Sequence, residues 1–187
     1  MRTSLSRLWM VAAVVLLARS PAGAAELTGF QADLLAELEG LEKKYLELAQ
    51  AVPEAKFSWE PAPGVRSVSE VYMHAAAGNF MMPSLFGYPA PEGAAWNMEE
   101  QITAKAQVMA KLKASFEHAR QAIRNLPADR LEAQIDLFGD QATVRRALLL
   151  MAGHLHEHLG QSIAYARVVG VTPPWSGAGE EEGEEGG

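Results

Sequence analysis

Two histidines of this sequence have the spacing of a metal-ligand pair. His154 and His158 are four positions apart, so on a helix turning about 100° per residue their side chains point only about 40° from each other. Two imidazoles placed in this way can both reach one ion. Four further residues share their direction and mark it as the face turned to the protein interior: Ala147, Met151, Gln161 and Tyr165.

A third histidine lies on the apolar face of another predicted helix. His74 is in line with Val71 and Gly78, on a side that we expect to be buried. A buried polar group without a partner costs roughly 1–3 kcal/mol, so a single buried histidine usually has a neighbour that satisfies it. Three histidines in one core are readily explained by a shared ion. His74, His154 and His158 are therefore either the ligands of one divalent metal ion or core residues satisfied by their neighbours, and spacing alone does not decide between the two.

The remaining histidines of the helical region are predicted to lie outside this site. His156 points about 200° away from His154 and should face the solvent. His118 falls on the polar face of its helix and is expected to be exposed. The pair His156-Glu157 begins like the H-E-x-x-H motif of zinc proteases, but position 160 is Gly160, and that class of protease is excluded.

Two other polar side chains have two interpretations each. Glu70 lies one turn before His74 and is either a catalytic base or fourth metal ligand, or the glutamate that caps its helix. Gln161 either hydrogen-bonds a metal ligand or bound water, or is a polar core residue. No stronger candidate for a catalytic residue is present, so the catalytic residues stay unassigned.

Four amphipathic helices are predicted to position these residues. Apolar side chains recur at three- and four-residue steps, Ser67 and Glu70 form a capping box, and Thr143 is a plausible cap for the last helix. The predicted helices cover about 27–51, 68–82, 98–125 and 144–169. Residues 127–139 should be irregular, with one extended piece at 132–138. The fold class expected is all-α, a four-helix bundle.

The first 24 residues have the order of a secretory signal peptide. Arg2 and Arg7 precede the apolar run 8–18, and Ala22-Gly23-Ala24 forms a cleavage signature. An uncleaved membrane anchor is the alternative, but the run is shorter than the roughly 20 residues that span a bilayer. We predict cleavage after residue 24 and a periplasmic or secreted mature protein without stable membrane insertion.

Composition limits the mature chain further. Residues 25–176 have the size of one domain, and the Gly/Glu-rich tail 177–187 should be a solvated, disordered segment. The absence of cysteine excludes disulfides, a thiolate metal site and a cysteine nucleophile. The net charge is −7 before removal of the three arginines of the leader, and an acidic surface gives no basis for nucleic-acid binding.

The chain resembles the DinB-like superfamily of metal-binding four-helix bundles, the DinB/YfiT-like metalloenzyme fold. The resemblance rests on residues 58–78 with His74, on His154-x-x-x-His158-x-Gly160-Gln161, and on the helix end over 165–174. It implies that the three histidines are the ligands of zinc or nickel, with manganese or iron as further candidates. Leu159 stands where many relatives carry arginine, which puts an anion contact there in doubt.

Three classes of function are compatible with this resemblance. The first is a metal-dependent hydrolase or thiol S-transferase of unknown substrate, the second a non-catalytic metal-binding or stress-related bundle, and the third a structural bundle with vestigial histidines. Export argues against thiol chemistry, because small thiols are kept reduced chiefly in the cytoplasm. We expect a small-molecule substrate, no nucleic-acid partner and a homodimer.

Overall fold

The computed structural model describes Leu27 and residues 29–176 of the chain. The predicted signal peptide 1–24 and the acidic tail 177–187 lie outside the described residues. Four long helices and one antiparallel hairpin make up the fold: α1 Phe30–Ala51, α2 Val68–Met81, α3 Lys105–Asn125, β1 Gln134–Leu137, β2 Asp140–Thr143 and α4 Val144–Val168. Each of α1 and α2 packs against both α3 and α4. The predicted all-α four-helix bundle is confirmed.

The predicted apolar stripe of α1 forms one side of the core. Leu34, Leu38, Leu41, Tyr45 and Leu48 are all buried. The hydroxyl of Tyr45 also donates a hydrogen bond of 2.7 Å to the carbonyl oxygen of Leu155 in α4. Because this bond is buried, it fixes α1 against the turn of α4 that carries the histidines.

The predicted capping box begins α2. The hydroxyl of Ser67 accepts a hydrogen bond from the backbone N–H of Glu70 at 3.3 Å, and the Glu70 carboxylate accepts one from the backbone N–H of Ser67 at 2.6 Å. From this start α2 is buried on almost every side, which suits its alanine-rich centre. Glu70 therefore has the helix-capping role that was one of its two interpretations.

The third helix starts later than the sequence pattern predicts. Residues Met98–Glu100 form a separate 3₁₀ turn, and α3 begins only at Lys105. The Lys105 ammonium donates hydrogen bonds to the carbonyl oxygens of Gln50 and Val52, where a cation stabilises the end of α1. Met98 is buried and holds the turn against the core, so this turn is positioned independently of α3.

The extended piece predicted at 132–138 is one half of a two-stranded hairpin. Gln134 pairs with Thr143 and Leu137 with Asp140. Phe138 and Gly139 form the turn with φ of 58° and 98°, the left-handed conformation usual for Asn-Gly in two-residue hairpin turns. A phenylalanine gives no such signal, which is why the second strand was not predicted. Thr143 then caps α4 as expected, accepting from the N–H of Arg146 at 3.1 Å.

None of the described helices is long and apolar enough to cross a membrane.

Candidate metal centre

The packing of α2 against α4 brings the three predicted histidines together. His74 lies in the middle of α2, and His154 and His158 lie one turn apart on α4. One ring nitrogen of each lies within 4.8 Å of the other two, and the ring centroids are 4.5–5.1 Å apart. The cluster therefore has the size at which three imidazoles can share one ion.

The imidazole of His74 is oriented by a carboxylate. Its Nδ1 lies 2.7 Å from Oε2 of Glu99, and a carboxylate can only accept, so Nδ1 carries the proton. Nε2 is then left with its lone pair for a ligand bond. Arg66 donates from Nε to both oxygens of Glu99 at 3.1 Å and compensates its charge.

An amide orients His158 in the same way. Its Nδ1 lies 3.0 Å from Oε1 of Gln161, whose amide nitrogen in turn donates to the hydroxyl of Tyr165 at 2.9 Å. With the amide oxygen as acceptor, the proton of His158 is on Nδ1 and Nε2 is free to bind. Of its two interpretations, Gln161 thus has the one in which it contacts a predicted ligand.

His154 differs from the other two because its Nδ1 is buried and has no hydrogen-bond partner among the described residues. An unsatisfied buried nitrogen is costly, and with no hydrogen bond to orient it this ring is held by packing.

The surroundings keep two of the imidazoles neutral. Burial, followed by the charges of His158, His74 and Arg66, lowers the pKa of His154 to about 4. Burial and the charge of Arg66 also lower the pKa of His74, although Glu99 opposes this shift. Neutral imidazole is the form that binds metal, so both lone pairs are available at neutral pH.

Glu99 is a residue of this site that the sequence did not single out. It was assigned to the first turn of α3, whereas it lies in the separate 3₁₀ turn that packs against α2. No periodicity relates that turn to His74, so sequence reasoning had no signal for the contact. Glu70, the acidic residue considered in its place, caps α2 and makes no hydrogen bond to the cluster.

The two remaining histidines of the helical region lie outside the cluster. His156 faces the solvent as predicted and pairs with Glu37 of α1 at 2.8 Å. The prediction that His118 is exposed is wrong: it is half-buried between Phe80 and Tyr88, with ring centroids 5.5 and 5.0 Å away. The loop containing Tyr88 covers this face, which a helical projection of α3 alone cannot reveal.

An open cleft of about 510 Å³ adjoins the histidine cluster. Arg66, Glu99 and Gln161, which orient or flank the histidines, also line the cleft. Its other lining residues are Glu60, Gly64, Val65, Glu70 and Glu100. Leu159 is buried in the core and does not line the cleft, whereas Arg66 is the cationic side chain among the lining residues. A small molecule in the cleft would touch the residues that hold the histidines.

Fold and site together define a four-helix bundle with three histidines converging between two of its helices. The sequence matches the DinB superfamily over residues 25–162, and the chain belongs to that superfamily. The family resemblance drawn from the sequence is confirmed.

Solved structures share this fold. A DinB-like protein from Bacillus cereus ATCC 10987 has a TM-score of 0.68 at 18% identity, covering 75% of this chain and 93% of that one. A DinB-like protein from Bacillus subtilis has a TM-score of 0.61 at 23% identity, with the same coverages. A conserved protein from Enterococcus faecalis has a TM-score of 0.65 at 17% identity, covering 76% and 98%. No curated protein matches this sequence significantly.

Proposed function

We propose that this chain is a metal-dependent enzyme that holds one divalent ion on His74, His154 and His158. The observation that supports the proposal is the convergence of three ring nitrogens, within 4.8 Å of one another, from two packed helices. The contacts of Glu99 and Gln161 with Nδ1 of His74 and His158, which leave Nε2 of both rings free, are a second support. Together they favour a metal centre over ordinary core histidines.

The donor set fits a borderline metal ion. Three imidazoles suit zinc and nickel best, and iron also binds imidazole, whereas manganese prefers oxygen donors. Three protein ligands leave coordination positions for water or a substrate, as in catalytic rather than structural zinc sites. When bound, such an ion supplies Lewis acidity, which polarises a substrate and makes water more acidic.

The residues around the histidines would prepare the site before an ion arrives. Glu99, held by Arg66, accepts a hydrogen bond from the Nδ1–H of His74 and fixes the orientation of that ring. Gln161, held by Tyr165, does the same for His158. Such contacts orient the rings and raise their basicity, and removing one typically costs ten- to a hundredfold in metal affinity.

Hydrolysis of a small polar molecule is the reaction that we favour. The adjoining cleft of about 510 Å³ has the volume of a small-molecule site, and charged side chains dominate its lining. Thiol transfer is less compatible with the proposed location, because reduced thiols are scarce outside the cytoplasm. The alternative function is metal binding without catalytic turnover, and the substrate assays below distinguish it from hydrolysis.

We also propose that the protein is exported, with a mature chain beginning near Ala25, and that it forms a homodimer. The support for export is the succession of basic, apolar and small residues at the start of the sequence. Static light scattering on the mature protein measures the oligomeric state, and a monomer mass would contradict the second proposal.

Elemental analysis and calorimetry test the metal site directly. The mature protein, purified without chelator, should contain one divalent ion per chain, and the stripped protein should bind one equivalent of zinc or nickel. A panel of ester, amide and phosphoester substrates, assayed with and without chelator, then separates a hydrolase from a metal-binding protein. Less than a tenth of an equivalent of any divalent metal bound by the stripped protein would refute the proposed site.

A further inference from the structure

We infer that Gly78 is a positioning residue for His154, the one histidine of the cluster without a hydrogen bond to hold it. This inference rests on the proposed metal-binding function. Gly78 is buried in α2, one turn after His74, and faces the ring of His154 across the packed helices. A Cβ atom at Gly78 would lie 2.7 Å from Cε1 and 2.9 Å from Nδ1 of that ring.

These distances leave no room for a side chain. Contacts of a Cβ below 3.0 Å are essentially never observed, and ordinary contact begins near 3.4 Å. The ring would have to retreat by roughly 0.3 Å to reach 3.0 Å and by roughly 0.7 Å to reach ordinary contact, compared with the roughly 0.2 Å by which metal–nitrogen distances normally vary. A methyl group at this position would displace His154 by more than that range.

Gly78 is unlike the other glycines within the described helices. A Cβ built on Gly40, Gly153 or Gly160 would meet nothing within 4 Å. Gly160 is exposed and does not bring two helices together. Close approach occurs instead at Gly78, and its partner is an imidazole rather than a neighbouring backbone.

The contact also assigns the nitrogen by which His154 would bind. The Nδ1–Cε1 edge of the ring rests against Gly78, whereas Nε2 lies farther off, 3.7 Å from the Cβ position. Nδ1 has no exposed surface and Nε2 is the nitrogen farther from Gly78, so we assign the ligand bond to Nε2. All three histidines would then bind the ion through Nε2. In His74 and His158 a hydrogen bond occupies Nδ1. In His154 the Nδ1–Cε1 edge of the ring packs against Gly78.

The test compares Gly78→Ala with Gly160→Ala in the metal-stripped mature protein, using zinc alone as the probe. Competition with a chromogenic chelator should give Gly78→Ala at least a tenfold weaker affinity than the wild type. Gly160→Ala should bind like the wild type, because its methyl group enters open space. If the wild type binds zinc and Gly78→Ala binds equally tightly, the inference is wrong while the metal site stands.

A double variant separates ring displacement from general damage to α2. Without the His154 ring, the methyl group at position 78 has nothing to displace. His154→Ala and the double variant His154→Ala/Gly78→Ala should therefore have equal residual zinc affinity. In the metal-free state, the melting temperatures of these two variants should differ less than those of the wild type and Gly78→Ala. If Gly78→Ala alone fails to fold, the double variant should recover the fold. A loss as large in the double variant as in the single one would overturn the inference.

Discussion

The Nδ1 atom of His74 lies 2.7 Å from a carboxylate oxygen of Glu99, which is 17% exposed and is itself held by Arg66. The two residues come from different elements, the middle of α2 and the 3₁₀ turn before α3. The contact orients His74, a predicted metal ligand, from a turn outside α2 and α4, the two helices that supply the three histidines. It also gives a prediction about metal affinity that does not require changing a histidine.

Replacing Glu99 by alanine should lower zinc affinity by about ten- to a hundredfold, because His74 loses the acceptor that fixes its proton and its ring. Glu100 offers a matched control, since it is adjacent, exposed and makes no hydrogen bond to the cluster. Calorimetric titration of both stripped variants measures the difference. Equal affinities in Glu99→Ala and Glu100→Ala would show that the contact does not prepare the site.

Alanine at His74, His154 or His158 should remove stoichiometric metal, whereas alanine at His156 or His118 should not. His156 pairs with Glu37 on the surface, and His118 packs against Phe80 and Tyr88, away from the cluster. Elemental analysis of the five purified variants distinguishes the two groups. His118→Ala should also melt at a lower temperature, because it removes a half-buried ring.

Removing the metal should lower the melting temperature without unfolding the protein. An ion that binds only the folded chain stabilises it by RT ln(1 + [L]/Kd), about 4 kcal/mol at a thousandfold excess over Kd. For a domain of this size that corresponds to a shift on the order of 10 °C. Thermal melts with and without chelator at neutral pH measure it. If protein that is verified to contain metal has the same melting temperature with and without chelator, then no ion bridges α2 and α4.

The metal-free protein should lose stability as the pH falls below about 6.5. The pKa of His154 is about 4 in the folded chain and near 6.5 when unfolded, so between these values the unfolded chain binds the extra proton. Stability is therefore full above pH 6.5 and decreases toward pH 4, since charging His154 beside His74, His158 and Arg66 is unfavourable. The denaturant midpoints at pH 7 and pH 5 should differ less in His154→Ala than in the wild type. An equal difference in both proteins would show that a group other than His154 causes the loss of stability.

The exported protein should begin near Ala25. Expression of the full sequence in a bacterium, followed by fractionation and intact-mass measurement, tests both cleavage and location. A variant in which Ala22-Gly23-Ala24 is replaced by bulky residues serves as the control and should retain its signal peptide. Recovery of the wild-type chain in the cytoplasm with Met1 still present would contradict export.

Sequence periodicity predicted the four helices, apart from the start of α3, and the shared face of His154 and His158, because both are repeats within one element. The spacing of His154 and His158 fixes their common face, and the capping box of Ser67 and Glu70 fixes where α2 begins. From these two facts the side that each helix turns to the core follows directly. The convergence of His74 with the pair on α4 joins two elements, and the family resemblance rather than periodicity implied it.

The contacts made by loops could not be predicted from periodicity. Glu99 reaches His74 through a turn whose position depends on the buried Met98, and Tyr88 covers His118 from a loop. The hairpin turn uses Phe138 at a left-handed position where sequence patterns expect asparagine or glycine. In each case the deciding interaction joins segments with no shared period, so the sequence carried no local signal.

The placement of the histidines on α2 and α4 also bears on the order of events during folding. Because His74 and His154 are separated by most of the bundle's sequence, no complete ligand set exists until those helices have packed. An ion that binds only after these helices have packed makes no contact in a transition state in which they are still apart. Interactions absent from the transition state slow unfolding and leave the folding rate nearly unchanged. The centre would thus prolong the lifetime of the native bundle without guiding the chain towards it.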